Sequence, residues 1–128
     1  MTKTPAWFAI CWFATWGLFQ GFAVFSVLNG TWERPAAFPA GAYEALIYPD
    51  LFFIPLYWLA AILLFRRHRL GRVLAFAAGG GIVYAMIYLL ALSGFSGAVN
   101  LIADGIFLAC TLVSLWQVGY RSGLRHAV

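Results

Sequence analysis

Long uninterrupted runs of apolar residues, separated by short polar stretches, are the dominant pattern in this chain. A run must contain about 20 residues at 1.5 Å each to cross a bilayer core about 30 Å thick. Four runs approach or exceed this length, at residues 7–28, 49–65, 73–92 and 101–120. They are continuously apolar rather than alternating, which predicts helices and not the strands of a membrane barrel. We therefore predict an all-α fold, with residues 1–128 forming a single domain of four transmembrane helices.

The composition agrees with this pattern. Of the 128 residues, 64% are hydrophobic and 9% are charged, whereas soluble domains average roughly 45–50% and 25%. These values exclude a water-soluble globule. The first apolar run is longer than the core of a cleaved signal peptide, which has about 7 to 15 residues. We therefore predict that it is retained as the first helix.

The positive charges are distributed asymmetrically. Seven of the eight Lys and Arg residues precede the first run, join the second to the third, or follow the fourth, and only Arg34 lies in the opposite loops. Lys and Arg in short loops accumulate on the cytoplasmic side, so we predict that both termini and the turn at 66–72 are cytoplasmic. The loops at 29–48 and 93–100 then face outward from a bacterial inner (plasma) membrane. The net charge of +4 is explained by this membrane border and does not predict nucleic-acid binding.

Two carboxylates inside the predicted spans are the strongest chemical signal. An ionised group costs at least about 2.5 kcal/mol at the membrane midplane. Asp50 follows Pro49 at the start of the second run, where it could simply meet free backbone N–H groups of the first turn. Asp104 lies four residues after Asn100, at a depth where capping weakens. Both residues are therefore candidates for ligand contact, with helix capping as the competing interpretation.

Helical spacing predicts which face of each helix turns inward, because residues three or four positions apart share a face. The predicted faces are Phe13, Gly17, Gln20 and Val24; Asp50, Ile54, Tyr57 and Ala61; Ala77, Gly81, Tyr84 and Tyr88; and Asp104, Leu108, Thr111 and Leu115. We predict a polar, aromatic cavity that opens outward. Its predicted ligand-binding residues are Gln20, Asp50, Tyr57, Tyr84, Tyr88 and Asp104. The alternative is that the Tyr and Gln side chains only bond a neighbouring helix.

The connection at 29–48 is the longest loop of the chain. Its aromatic residues suit the headgroup layer and its prolines oppose a continuous helix, so we predict that it lies on the membrane surface. A lid over the cavity is the alternative, with Glu33, Arg34 and Glu44 as its charged groups.

Two further features shape the predicted helices. The glycine run at 79–81 predicts close contact with neighbouring helices, with a kink or a ligand groove as the alternative. Pro55 removes a backbone hydrogen bond and predicts a bend in the second helix below Asp50.

The residues that cofactor chemistry needs are missing. Lys3 is the only lysine, so no Schiff base can form within the membrane. His68 and His126 both lie at cytoplasmic helix ends, which does not suit paired ligation of a haem. Cys11 and Cys110 do not form a C-x-x-C pair, and no metal cluster or phosphate loop is present in the sequence. We predict neither a cofactor nor a metal.

The segment at 50–57, Asp-Leu-Phe-Phe-Ile-Pro-Leu-Tyr, followed by the basic turn and a third span with Tyr84, resembles the EXPERA family. That family contains four-helix sterol isomerases and sigma-2-type sterol-binding proteins, in which the helices enclose a lipophilic ligand beside buried acids. Here Ile54 stands where the family has Gln, and the acid-to-proline spacing is one residue shorter. The resemblance implies that Asp50 contacts the ligand.

These observations predict a non-enzymatic membrane protein that binds or transports a lipophilic or weakly cationic small molecule. One alternative is an enzyme acting on an isoprenoid or sterol-like lipid, with an acid as proton donor or acceptor. Another is an accessory subunit of a larger membrane complex. The predicted partners are the lipid bilayer, a lipophilic small molecule, and a second copy of the chain or another membrane subunit.

Overall fold

Four α-helices form the protein. The computed structural model describes residues 5–31, 45, 47–92 and 98–126, and these ranges contain no strand. The helices are α1 (Trp7–Leu28), α2 (Ile47–Phe65), α3 (Arg69–Leu92) and α4 (Ala98–His126). Each is long and apolar enough to span a membrane. The predicted all-α bundle of four spans is confirmed, and the chain fits a small multi-pass membrane protein.

The helix bounds follow the apolar runs with differences at the ends. α1 has the predicted bounds, whereas α2 and α3 begin earlier than predicted and α4 extends further at both ends. The apolar run marks only the part of a helix that suits lipid, and backbone hydrogen bonding continues beyond it into the polar border. The proposed lid residues Glu33, Arg34 and Glu44 lie outside the described residues.

The helices form an antiparallel ring. Each helix packs against the next one along the chain, and α4 closes the ring against α1. The start of α1 therefore meets the end of α2, where the Trp7 and Phe65 rings lie 5.8 Å apart. We call the end of the bundle that carries Asp50 and Asp104 the aspartate end, and the opposite end, at Arg66, the arginine end.

Glycine residues bring neighbouring helices close together at three of the four helix–helix interfaces of the ring. A Cβ atom at each of these glycines would lie 2.5–2.6 Å from a large side chain of the neighbouring helix. The pairs are Gly17 with Trp58 (α1–α2), Gly81 with Phe53 (α2–α3) and Gly79 with Leu115 (α3–α4). The predicted close contact is thus confirmed for Gly79 and Gly81. Gly80 differs, because its Cβ position has no contact within 4 Å among the described residues beyond its own helix backbone and chain neighbours.

The basic turn between α2 and α3 has a defined geometry. Arg67 adopts a left-handed conformation with φ of 57°. The N–H of His68 donates to the carbonyl of Leu63 at 2.9 Å, and the N–H of Arg67 donates to that of Leu64 at 3.0 Å. This pattern ends α2 as a Schellman motif. The Nδ1 atom of His68 then accepts the N–H of Leu70 at 3.2 Å, so His68 caps the start of α3.

The inward face predicted for α3 is wrong at its two tyrosines and at Ala77, which are exposed, and holds only at Gly81. Tyr84 is 73% exposed and Tyr88 is 38% exposed, and their rings stack on the outer surface at 6.4 Å. The buried face of α3 consists instead of Ala75, Ala78, Ile82 and Met86. Close packing of α3 between α2 and α4 selects small residues, whereas tyrosine is tolerated on a lipid-facing surface near the membrane border.

The first turn of α1 obtains a hydrogen-bond acceptor from α4. No side chain caps this helix locally, and the first four N–H groups of any helix lack intrahelical partners. The N–H of Ala9 donates to Oε1 of Gln117 at 3.1 Å. Gln117 therefore fixes the start of α1 against α4 at the arginine end.

We expect Gln117→Leu to lower the free energy of unfolding by about 1–2 kcal/mol, because the Ala9 N–H loses its acceptor. Reversible unfolding in detergent micelles measures this change. Gln117→Glu places a carboxylate oxygen where the amide oxygen lies, close to the polar end of the span, and serves as the control, with a smaller loss. Equal stability of Gln117→Leu and the parent protein would show that the bond contributes nothing.

Candidate functional site

A cavity of about 240 Å³ lies at the aspartate end of the bundle, and all four helices contribute to its wall. α1 lines it along the longest stretch, between Trp16 and Val27, and α3 contributes residues from Ala85 to Leu89. Most of the lining is apolar. Its polar side chains are Gln20 of α1, Asp50 of α2 and Asp104 of α4.

The cavity volume limits the size of an enclosed ligand. An apolar cavity of about 150 Å³ in another protein holds benzene, and pockets for drug-sized ligands begin near 300 Å³. A fully enclosed ligand would therefore have about ten non-hydrogen atoms.

The two aspartates reach the cavity from opposite helices of the ring. Asp50 lies in the first turn of α2, as predicted. Asp104 lies beyond the first turn of α4, which begins at Ala98, so it is too deep to cap that helix. Neither carboxylate has a hydrogen bond or an ion pair with any of the residues that the structure describes. Two acids thus face one cavity, and no described residue supplies a positive charge or a hydrogen bond to them.

Tyr57 and Trp16 lie beneath these acids. Both are almost fully buried, at 4% and 2% exposure. Tyr57 shares a face of α2 with Asp50, two turns further along the helix, and its side chain leans back towards the start of that helix. The Trp16 Nε1–H has no acceptor in hydrogen-bonding geometry among the described residues. Tyr57 therefore lies below Asp50 in the same buried cluster as Trp16, outside the cavity lining.

Aromatic rings form the side of the site between α1 and α4. Phe107 contacts Trp16 with ring centroids 5.2 Å apart and Phe19 with centroids 5.7 Å apart. One turn further towards the arginine end, Nε1–H of Trp12 donates to Oγ1 of Thr111 at 3.0 Å. Trp16 and Phe19 line the cavity beside the carboxylates, and aromatic rings attract an organic cation to their faces.

The structure brings together only part of the predicted site. Gln20, Asp50 and Asp104 share the cavity, and Tyr57 lies just below it. Tyr84 and Tyr88 lie on the outer surface of α3, away from these side chains. The prediction omitted several apolar lining residues. They are Trp16, Phe19, Ala23, Val27, Ile47, Ala85, Met86 and Leu89.

One signal in the sequence could have found some of these residues. On α1, Trp16, Gln20, Ala23 and Val27 recur at helical spacing, and this stripe extends from Gln20 in both directions. On α3 the predicted face was chosen by its tyrosines, which are exposed in the structure. Met86 belongs to the buried stripe of small and branched residues that also contains Ile82.

The described residues contain no group of three or more His, Cys, Asp or Glu side chains that could hold a metal ion. Cys11 and Cys110 are unpaired, with Cys11 exposed and Cys110 partly buried.

No protein-family model, curated protein or solved structure matches this chain. The resemblance to the EXPERA family therefore stays a prediction.

Proposed function

We propose that this membrane protein binds a small lipophilic molecule with a positively charged group in the cavity at the aspartate end. The observation that carries the proposal is the convergence of Asp50, Asp104 and Gln20 on one largely apolar cavity. The two carboxylates have no ion-pair partner among the described residues. A ligand cation would supply the missing charge.

Asp50 and Asp104 carry a free-energy cost within the membrane spans. Ionisable residues inside a membrane span are expensive, and they usually pair with one another or mark a ligand or ion pathway. In this cavity a cation would meet two carboxylates, and its apolar body would meet Trp16, Phe19 and Met86. Both parts of an amphiphilic amine are thus matched by the lining.

Transport of the ligand extends this proposal. It requires the bundle also to open at the arginine end, so that the ligand is released on the other side of the membrane. The charge asymmetry of the chain supports an aspartate end that faces outward from a bacterial inner membrane. Association with a second copy of the chain or with another membrane subunit stays a prediction.

Three probes of similar size test the proposal with the purified chain in lipid nanodiscs. They are 2-phenylethylamine as the cation, propylbenzene as its neutral analogue and phenylacetate as the anion. We expect the amine to bind at least about tenfold more tightly than propylbenzene, which corresponds to about 1.4 kcal/mol. We expect phenylacetate not to bind, because the two carboxylates repel it. Equal affinity for the amine and propylbenzene would contradict a charge-selective site.

A pair of variants on α3 locates the binding. Ala85 lines the cavity, whereas Ala77 lies on the exposed face of the same helix. We expect Ala85→Phe to abolish amine binding because the ring fills the cavity, and the matched Ala77→Phe to bind like the parent. Calorimetric titration of both variants makes the comparison. Unchanged amine binding by Ala85→Phe would place the ligand elsewhere.

A further inference from the structure

The acidic side chains of this chain are all kept away from its basic turn. Asp50 and Asp104 line the cavity at the aspartate end. The other two acids, Glu33 and Glu44, belong to the connection between α1 and α2. No Asp or Glu lies in the sequence between Asp50 and Asp104, which is the part that contains the turn at 66–72. The chain therefore supplies no acidic side chain near its largest cluster of positive charge.

The four arginines of the basic turn have no anionic partner in the described protein. Arg66, Arg67 and Arg69 are exposed, and Arg72 is partly buried. None of the four makes an ion pair or a side-chain hydrogen bond with a described residue. All four are arginine rather than lysine, and the planar guanidinium group donates two parallel hydrogen bonds to a phosphate. An anion from outside the chain would balance this charge.

The turn holds its arginines on an ordered backbone. The N–H groups of Arg67 and His68 donate to the last turn of α2, and the imidazole of His68 caps α3. Gly71 allows the first turn of α3 to lie against the end of α2, since its Cβ position is only 2.8 Å from the carbonyl carbon of Leu63. An ordered backbone lowers the entropy that is lost when a site binds its ligand.

Exposed aromatic residues surround the arginine end of the bundle. Trp7, near the start of α1, and Trp116 and Tyr120 of α4 are each more than half exposed. The Trp116 and Tyr120 rings stack with centroids 5.4 Å apart, and Trp7 contacts Phe65, which directly precedes the turn. Exposed Trp and Tyr side chains are enriched at the level of lipid headgroups. The basic turn therefore lies where phospholipid phosphates are found.

We propose that the basic turn is a binding site for an anionic phospholipid of the leaflet at the arginine end. The lipid phosphate binds to the arginines. The acyl chains contact the apolar side chains next to them, Phe65, Leu70 and Val73, which are each more than half exposed. An acidic protein segment would match the charge but not this apolar surface. The site lies at the opposite end of the bundle from the cavity and is independent of the proposed function.

Lipid retention tests the site. The chain is purified from mixed micelles that contain equal amounts of phosphatidylglycerol and phosphatidylcholine with the same acyl chains, and the retained lipids are counted by mass spectrometry. We expect at least about tenfold more phosphatidylglycerol than phosphatidylcholine on the protein. The preference should fall when salt rises from about 0.1 M to about 1 M, because the screening length shortens from about 10 Å to about 3 Å. Equal retention of both lipids at low salt would overturn the proposal.

Substitutions locate the lipid on the turn. We expect Arg69→Gln to lower the preference for phosphatidylglycerol about fivefold, and the additional change Arg72→Gln to lower it further. Arg34→Gln is the matched control, because it removes one positive charge from the connection at the opposite end and should leave the preference unchanged. A preference that survives both substitutions on the turn would place the lipid elsewhere and overturn the proposal. The salt series on the parent protein tests the charge dependence without any substitution.

Two soluble competitors identify the source of the anion. Glycerol phosphate represents the free headgroup, and polyglutamate represents an acidic protein segment. We expect neither to remove the bound phosphatidylglycerol, because neither replaces the contacts of the acyl chains with the apolar side chains. Displacement by glycerol phosphate would identify a free phosphate as the occupant, and displacement by polyglutamate an acidic protein segment. Either result would overturn the assignment of a lipid to this turn.

Discussion

Replacing Gly71 with alanine is expected to lower the free energy of unfolding by about 3 kcal/mol. The Cβ atom would lie 2.8 Å from the carbonyl carbon of Leu63 and 2.8 Å from the backbone nitrogen of Leu64. A clash with backbone cannot be relieved by rotating a side chain. The first turn of α3 would have to move away from the end of α2, which disturbs the hydrogen bonds of the basic turn. Unfolding by denaturing detergent in mixed micelles measures the loss.

Gly80→Ala is the control for this variant. It adds the same methyl group to the same helix, at a position where the described residues leave open space. We expect its stability to be unchanged or raised by up to about 1 kcal/mol, because alanine favours helix more than glycine does. If Gly71→Ala and Gly80→Ala unfolded alike, the close approach of α2 and α3 at the arginine end would be wrong.

Replacing the aspartates is expected to raise the stability of the empty protein and to weaken ligand binding. For Asp104→Asn we expect a gain of about 1–2 kcal/mol in the free energy of unfolding, less than the cost of about 2.5 kcal/mol for a charge at the membrane midplane. The same variant should lose at least about tenfold in affinity for 2-phenylethylamine, because a neutral amide cannot balance the ammonium charge. Asp50→Asn should behave in the same way. Unfolding and calorimetric titration of each variant provide the two measurements.

The direction of the stability change discriminates between the two interpretations of these acids. A helix-capping aspartate stabilises the fold, so its loss lowers stability. An acid kept for ligand binding destabilises the empty protein, so its loss raises stability. Tyr84→Phe, on the exposed face of α3, serves as a control that should change neither quantity. A loss of stability in both Asp variants with unchanged amine affinity would make them structural residues.

Helical spacing predicted the inward faces of α1, α2 and α4 correctly. Each of these three helices carries a strongly polar side chain that marks the interior, because Gln20, Asp50 and Asp104 are all costly in contact with lipid. Tyrosine carries no such information. Its ring is compatible with lipid and its hydroxyl with the membrane border, so Tyr84 and Tyr88 could face either way.

The contacts between helices could not be read from the chain. The glycine run at 79–81 predicts close packing, but only the bundle shows that Gly79 faces Leu115 of α4 while Gly81 faces Phe53 of α2. The pairing of Gln117 with the first turn of α1 is equally invisible, because 108 positions separate its two residues along the chain.

The sequence by itself determined the number of spans, the helical fold and the presence of acids within the spans, because these follow from the length of the apolar runs and the cost of burying charge. The tertiary structure decided which side chains share a cavity. That outcome depends on the rotation of each helix about its axis, and here small-residue packing sets the rotation of α3. It also decided which large side chain each glycine meets, since the contact requires a matching residue on the neighbouring helix.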